Sequence, residues 1–175
     1  MLHDPFPSRI LNLAEIRKEC RLQQQKGNRI VFTNGCFDIL HLGHAEYLRR
    51  SALLGDLLVV GLNSDESVRE LKGEGRPVIP EQERASLLAA LRSVDYVSIF
   101  SEPTPLSLIE AIRPDVLVKG GDYNPDATEG KQYIVGSDLV RSYGGTVHTI
   151  DLVEGRSTTN VIDAVIRAYG TSAGS

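Results

Sequence analysis

The chain has 175 residues, 41% of them hydrophobic and 24% charged, with a formal net charge of −4. That supports one full-sized core and not two. The mild acidity excludes a broad basic field for nucleic acid, and no apolar run is long enough to cross a bilayer, so neither nucleic acid nor a membrane is an expected partner. The N-terminus MLHDPFPSRI shows no signal-peptide pattern, and Cys20 and Cys36 make no disulfide framework. A cytoplasmic location is therefore the expectation.

Asn12 followed by Glu15 reads as a helix start, and a helix is expected from Leu13 to about Gln25, ended by Gly27. Residues 1–28 thus form an arm and a helix, ahead of a domain over 29–170 and a disordered tail over 171–175. Arg29–Thr33 is a β-branched apolar run and reads as a strand. A helix over His44–Leu54, a strand over Leu57–Leu62 and a helix over Asp65–Leu71 follow. A loop at 73–80 precedes a helix over Glu81–Arg92 and a strand over Tyr96–Phe100. Thr104 is expected to cap a helix whose first residue is Pro105 and whose end is near Ile112. Then come a strand over Val116–Lys119, a helix near 131–142, a strand over Thr146–Ile150 and a last helix over Thr158–Tyr169. Apolar strands separated by helices predict an α/β fold: one Rossmann-like doubly wound domain with a parallel sheet of about five strands.

In such a sheet, ligands bind beyond the carboxyl ends of the strands. The segment TNGCFDILHLGH sits just after the first strand. His41 and His44 are three apart, on one helix face. Gly35 and Gly43 permit close backbone approach, and a helix N-terminus there suits phosphate. A lone histidine is usually an ordinary surface or core residue, but two of the chain's four histidines at this place favour a phosphate site. A zinc site with Cys36 is disfavoured, because no further Cys/His cluster accompanies it. No metal-ligating residue is assigned.

Asn63, Ser64 and Asp65 end the second strand and read as a helix cap, with a sugar-phosphate contact by Asn63 as the functional alternative. Lys72 and Arg76 lie in a glycine-rich loop, either solvated or facing phosphate. Gly120 and Gly121 permit a sharp turn after the fourth strand, flanked by Lys119 and Asp122. Ser157, Thr158 and Thr159 open the last helix, where their hydroxyls cap it or hold β- and γ-phosphates.

The first of these segments resembles the G-x-F-D-x-x-H-x-G-H signature of the HxGH nucleotidyltransferase superfamily. The resemblance implies that His41, His44 and Lys72 are catalytic. It implies ATP binding by Asn34, Gly35, Phe37, His41, Gly43, His44, Lys119, Gly121, Asp122, Ser157, Thr158 and Thr159. Asp38, Asn63, Lys72 and Arg76 would bind the sugar phosphate. EGRSTTN resembles the superfamily's I-S-T-T element, although Leu152 and Val153 stand where cytidylyltransferases for glycerol or choline phosphate carry Arg-Thr. Arg156 is a candidate replacement charge.

Together, TNGCFDILHLGHAEYL, VGLNSDESVRELKGEGRPV, PDVLVKGGDY and EGRSTTNVI resemble the D-glycero-β-D-manno-heptose 1-phosphate adenylyltransferases. The resemblance covers Arg29 to Tyr169. It implies ATP as substrate, Mg²⁺ held mainly by substrate phosphates, and a homodimer. In that branch the activity is often joined to a sugar kinase. The 28 residues before the first strand leave no room for a kinase, so a stand-alone enzyme is expected, with a separate kinase supplying heptose 1-phosphate. The rivals are a cytidylyltransferase for glycerol 3-phosphate or a related alcohol phosphate, a non-catalytic nucleotide-binding protein, and a redox protein using Cys36.

Overall fold

A computed structural model describes residues 7–151, 155 and 157–170. Leu152, Val153, Arg156 and the 171–175 tail lie outside the described residues. After a 3-10 turn at Pro7–Arg9 the elements run α1 (Leu13–Gln25), β1 (Ile30–Gly35), α2 (Leu42–Ala52), β2 (Leu57–Asn63), α3 (Asp65–Lys72), α4 (Glu81–Ala89), β3 (Tyr96–Phe100), α5 (Leu106–Ile112), β4 (Val116–Gly120), α6 (Ser137–Ser142), β5 (Thr146–Ile150) and α7 (Thr158–Tyr169). The five strands form one sheet in the order β3-β2-β1-β4-β5, with every pairing parallel. No helix among the described residues is long and apolar enough to cross a membrane.

Strand alternation builds the core on both faces of the sheet. Val31, Leu58, Val60, Leu62 and Val97 pack against Tyr47 and Leu48 of α2 and Ala85 and Leu88 of α4. Their neighbours Ile30, Phe32, Val59 and Leu117 pack against Ile16 and Cys20 of α1, Leu108 and Ile109 of α5 and Val140 of α6. Both strand faces are buried, as a parallel sheet between helical layers requires. The N-terminal segment packs on this domain. Ile16 is fully buried, and the Leu11 amide donates to the Val97 carbonyl at 2.9 Å, along the β3 edge.

α1 begins at a full capping box, in which the Asn12 side chain accepts from the Ala14 and Glu15 amides while the Glu15 carboxylate accepts from the Asn12 amide. Several boundaries differ from expectation. α2 starts two residues early, with His41 as its extended N-cap (φ −139°) and not as a helical residue. Pro105 is the N-cap of α5, which makes no side-chain capping bond, so Thr104 does not cap it. α4 stops at Ala89 and not at Arg92. α6 begins only at Ser137. Gly136 precedes it at φ +85°, and a Cβ there would stand 2.6 Å from Ile109 Cδ1. That turn needs glycine and blocks an earlier helical start.

Candidate active site

A cavity of about 690 Å³ opens beyond the carboxyl ends of the strands. That volume suits a nucleotide-sized ligand. β1 delivers Asn34 to its floor, and the loop to α2 delivers Phe37, Asp38 and His41. Phe37 (φ +45°) and Ile39 (φ +50°) both adopt left-handed backbone, which for such residues costs about 1–3 kcal/mol each and concentrates at functional loops.

The two imidazoles stack, with ring centroids 3.8 Å apart and planes 22° apart. The Phe37 ring meets His44 edge-on at 5.3 Å. A Cβ on Gly35 would lie 3.1 Å from that same Phe37 ring, so Gly35 makes room for the ring that braces His44. Burial first, and then the neighbouring His41, push His44 down to about 4, against the pull of Asp38. His44 is therefore neutral at pH 7. Its Nδ1 is buried without a hydrogen-bond partner among the described residues, as is Asn34 Oδ1. Buried polar atoms of this kind are expected where a ligand completes the bonding.

Asp38, expected to meet the sugar phosphate, has three partners within the protein. Its buried carboxylate accepts from Arg76 Nε at 2.6 Å, the Val78 amide at 2.9 Å and the Ile79 amide at 3.0 Å. Burial raises its pKa, and these three donors outweigh that and leave it lowered overall. Asp38 thus fastens the 73–80 loop and sets Arg76 in the cavity wall. The three hydroxyls opening α7 also divide their work. Ser157 Oγ accepts from the Asn160 amide as the cap, Thr158 Oγ1 donates to the Asp38 carbonyl at 2.8 Å, and Thr159 makes no hydrogen bond among the described residues. All three line the cavity, as do Gly43, Asn63, Lys72, Arg76 and Lys119. Gly121 and Asp122 do not. Glycine at 121 is required by packing, because a Cβ there would stand 2.7 Å from Asp151 Oδ1.

Burial pushes Lys119 down to about 8, against the pull of Asp122 and Cys36, and its Nζ lies 5.3 Å from the centre of the Tyr123 ring. Burial raises the Cys36 thiol above its usual range, which leaves little thiolate for redox or nucleophilic work. No three His, Cys, Asp or Glu side chains gather into a metal cluster among the described residues.

Residues 32–164 match the cytidylyltransferase-like family. The chain belongs to that family. As a cytidylyltransferase-like protein it is 54% identical over 164 residues to the bifunctional protein HldE of Syntrophotalea carbinolica, covering 94% of this chain and 32% of that one. The bifunctional protein HldE of Geobacter metallireducens is 54% identical over 168 residues, covering 96% of this chain and 33% of the relative. The chain spans about a third of the length of these relatives. Among solved structures, a lipopolysaccharide core biosynthesis protein from Thermoplasma volcanium is 29% identical with a TM-score of 0.55, covering 74% of this chain and 100% of that one. A pantoate-β-alanine ligase from Francisella tularensis, with a TM-score of 0.57 over 90% of this chain and 78% of the other, is 15% identical and shows the fold alone.

The cytidylyltransferase-like site also contains residues that the sequence did not single out. Arg84 of α4 is 1% exposed. Its guanidinium donates to the carbonyls of Ile79 (2.8 Å), Cys36 (2.5 Å) and Asn63 (3.0 Å) and to Asp65 Oδ1 (2.7 Å). One side chain therefore ties together the chain just past β1, the end of β2, the start of α3 and the 73–80 loop. On a helix of mixed polarity an arginine reads as a solvated charge, and only the fold turns it inward. Arg84 itself does not line the cavity; the unforeseen residues that do are Tyr47, Leu71, Pro103–Pro105, Tyr123, Lys131, Tyr133 and Val135. Tyr123 stands within the VKGGDY segment, and in the sequence Thr104 and Pro105 read only as a helix start.

Proposed function

We propose that the protein transfers AMP from ATP to D-glycero-β-D-manno-heptose 1-phosphate, giving ADP-heptose and pyrophosphate. The stacked His41–His44 pair at the start of α2, set in a cavity with Lys72, Arg76 and Lys119, carries this reading. Family membership supports nucleotidyl transfer. The similarity to the HldE proteins, and the quoted segments that resemble heptose 1-phosphate adenylyltransferases, support the acceptor.

The acceptor phosphate is already a nucleophile, so no covalent enzyme intermediate is required. Attack on the α-phosphorus, in line with the departing pyrophosphate, needs alignment and stabilisation of charge. His44, neutral and braced by Phe37, offers hydrogen bonding to phosphate oxygens at a preorganised position, with His41 stacked beside it. Lys119 neutralises the polyphosphate, Lys72 and Arg76 suit the acceptor phosphate, and the Thr159 hydroxyl and the α7 amides suit the distal end of the polyphosphate. Mg²⁺ fits this chemistry as an ion brought by the nucleotide and held by phosphate and water, since Asp38, the acid in the wall, is already occupied by three donors. A homodimer and a cytoplasmic setting belong to the same reading.

Pyrophosphate release should be measured with ATP or CTP, each against heptose 1-phosphate and glycerol 3-phosphate. Release with ATP and heptose 1-phosphate alone is expected. Release with CTP and glycerol 3-phosphate would replace the substrates while keeping the chemistry. ATP binding without any turnover would bring forward a nucleotide-binding role.

A further inference from the structure

The cavity has two chemically different flanks on either side of the histidines. One flank is built by β4 and the chain after it, and holds Lys119, Tyr123 and Tyr133, with flat aromatic surface suited to a base. The other is built by the segments after β2 and β3, and holds Asn63, Lys72, Arg76 and the turn Pro103–Thr104–Pro105. This turn leaves β3 directly beside Asn63: Asn63 is in register with Phe100, and the Ser64 amide donates to the Phe100 carbonyl at 2.9 Å.

We propose that Thr104 is a specificity-determining residue that hydrogen-bonds a ring hydroxyl of the acceptor sugar while Lys72 and Arg76 take its phosphate. This rests on the sugar-phosphate reading of the site. Thr104 precedes a helix in the position expected of a cap, yet α5 makes no side-chain capping bond. Its hydroxyl makes no hydrogen bond among the described residues, and it lies in the cavity wall. A proline on each side restricts the backbone, Pro103 and Pro105 through their fixed φ and Pro105 also by confining Thr104 to extended conformations. A stiff turn presents the hydroxyl with little ordering cost, which favours discrimination. Cations together with an amide and a hydroxyl match a polyol phosphate, where a base would want aromatic surface.

The test is steady-state kinetics of Thr104→Val and Thr104→Ser, varying heptose 1-phosphate at saturating ATP and then ATP at saturating heptose 1-phosphate. Valine keeps the shape and removes the hydroxyl, and the position is exposed, so folding is expected to persist; a thermal melt checks it. Thr104→Val should lower kcat/KM for the sugar phosphate about tenfold, mainly through KM, leave the KM for ATP within twofold, and be rescued by Thr104→Ser. An unchanged sugar-phosphate KM, or a rise confined to ATP, would overturn the assignment. The wild-type enzyme tests the underlying reading separately. If it uses glycerol 3-phosphate and not the heptose, the proposed function fails, and the same variants measured with glycerol 3-phosphate still decide whether Thr104 faces the acceptor. If it uses no acceptor phosphate, both fall.

Discussion

Replacing Arg84 by methionine should damage the protein more than any other single exchange in this site. Methionine fills much of the aliphatic volume of arginine and donates nothing. Three carbonyls, of Ile79, Cys36 and Asn63, would lose a donor in a region where Arg84 itself is 1% exposed, and Asp65 would lose its ion pair. Each buried acceptor left without a partner costs about 1–3 kcal/mol, and removing one side of a buried charged pair costs about 3–5 kcal/mol. These overlap, because water reaches Asp65, whose side chain is 27% exposed. A net loss of about 3–5 kcal/mol is the expectation, a large part of the roughly 5–15 kcal/mol that a domain has. For a chain of this length that lowers Tm by roughly 10 °C. Circular dichroism melts of wild type, Arg84→Met and Arg84→Lys would read it. Lysine should recover little, because one ammonium cannot reach acceptors spread around a planar fork. A Tm loss of less than about 2 °C for Arg84→Met would refute the clamp.

Further expectations concern the site itself. His44→Ala should lower turnover about 10²-fold or more with ATP still bound, as measured by pyrophosphate release and direct ATP titration; full activity would remove His44 from the chemistry. Because His44 sits near 4 in the free enzyme, the NMR signals of its own imidazole should show no titration between pH 5.5 and 7.5, and a step in them near the ordinary histidine value of 6.5 would contradict its burial. Lys119, held near 8 in the free enzyme, is raised by the bound triphosphate, so its contribution is full below pH 8 and fades as pH rises through the higher value of the complex. ATP affinity should fall above pH 8, and Lys119→Met should flatten that dependence. Asp38, with its pKa lowered in the fold, contributes stability that is present above the usual carboxylate value of 3.8 and is lost as pH falls through its folded value. Asp38→Asn should remove that acid sensitivity and raise the KM for the sugar phosphate by loosening Arg76.

Local signals were the ones the sequence displayed well. The Asn12–Glu15 box, the β-branched runs of β3 and β5 and the Ser157 cap of α7 needed only neighbouring residues, and their elements lie where those residues place them. Features set by distant contacts were hidden. Gly136 blocks an early α6 only because Ile109 packs over it. α2 begins at Leu42 although Gly43 is a poor helix residue, because His41 takes the extended N-cap conformation. The cavity residues after β1, β2 and β4 were legible from strand–loop position, which is why His41, His44 and Asn63 could be named. Arg84 and Thr104 were not, since their roles depend on which strands become neighbours.

On the proposed reading, the strand order β3-β2-β1-β4-β5 puts the loops that would face the polyol and those that would face the base on opposite sides of β1. Either set can acquire new side chains without passing through the other, because only β1 and the histidines at the start of α2 stand between them. One scaffold of this kind can exchange its nucleotide or its acceptor as separate inheritances while the reacting phosphates stay in the same place.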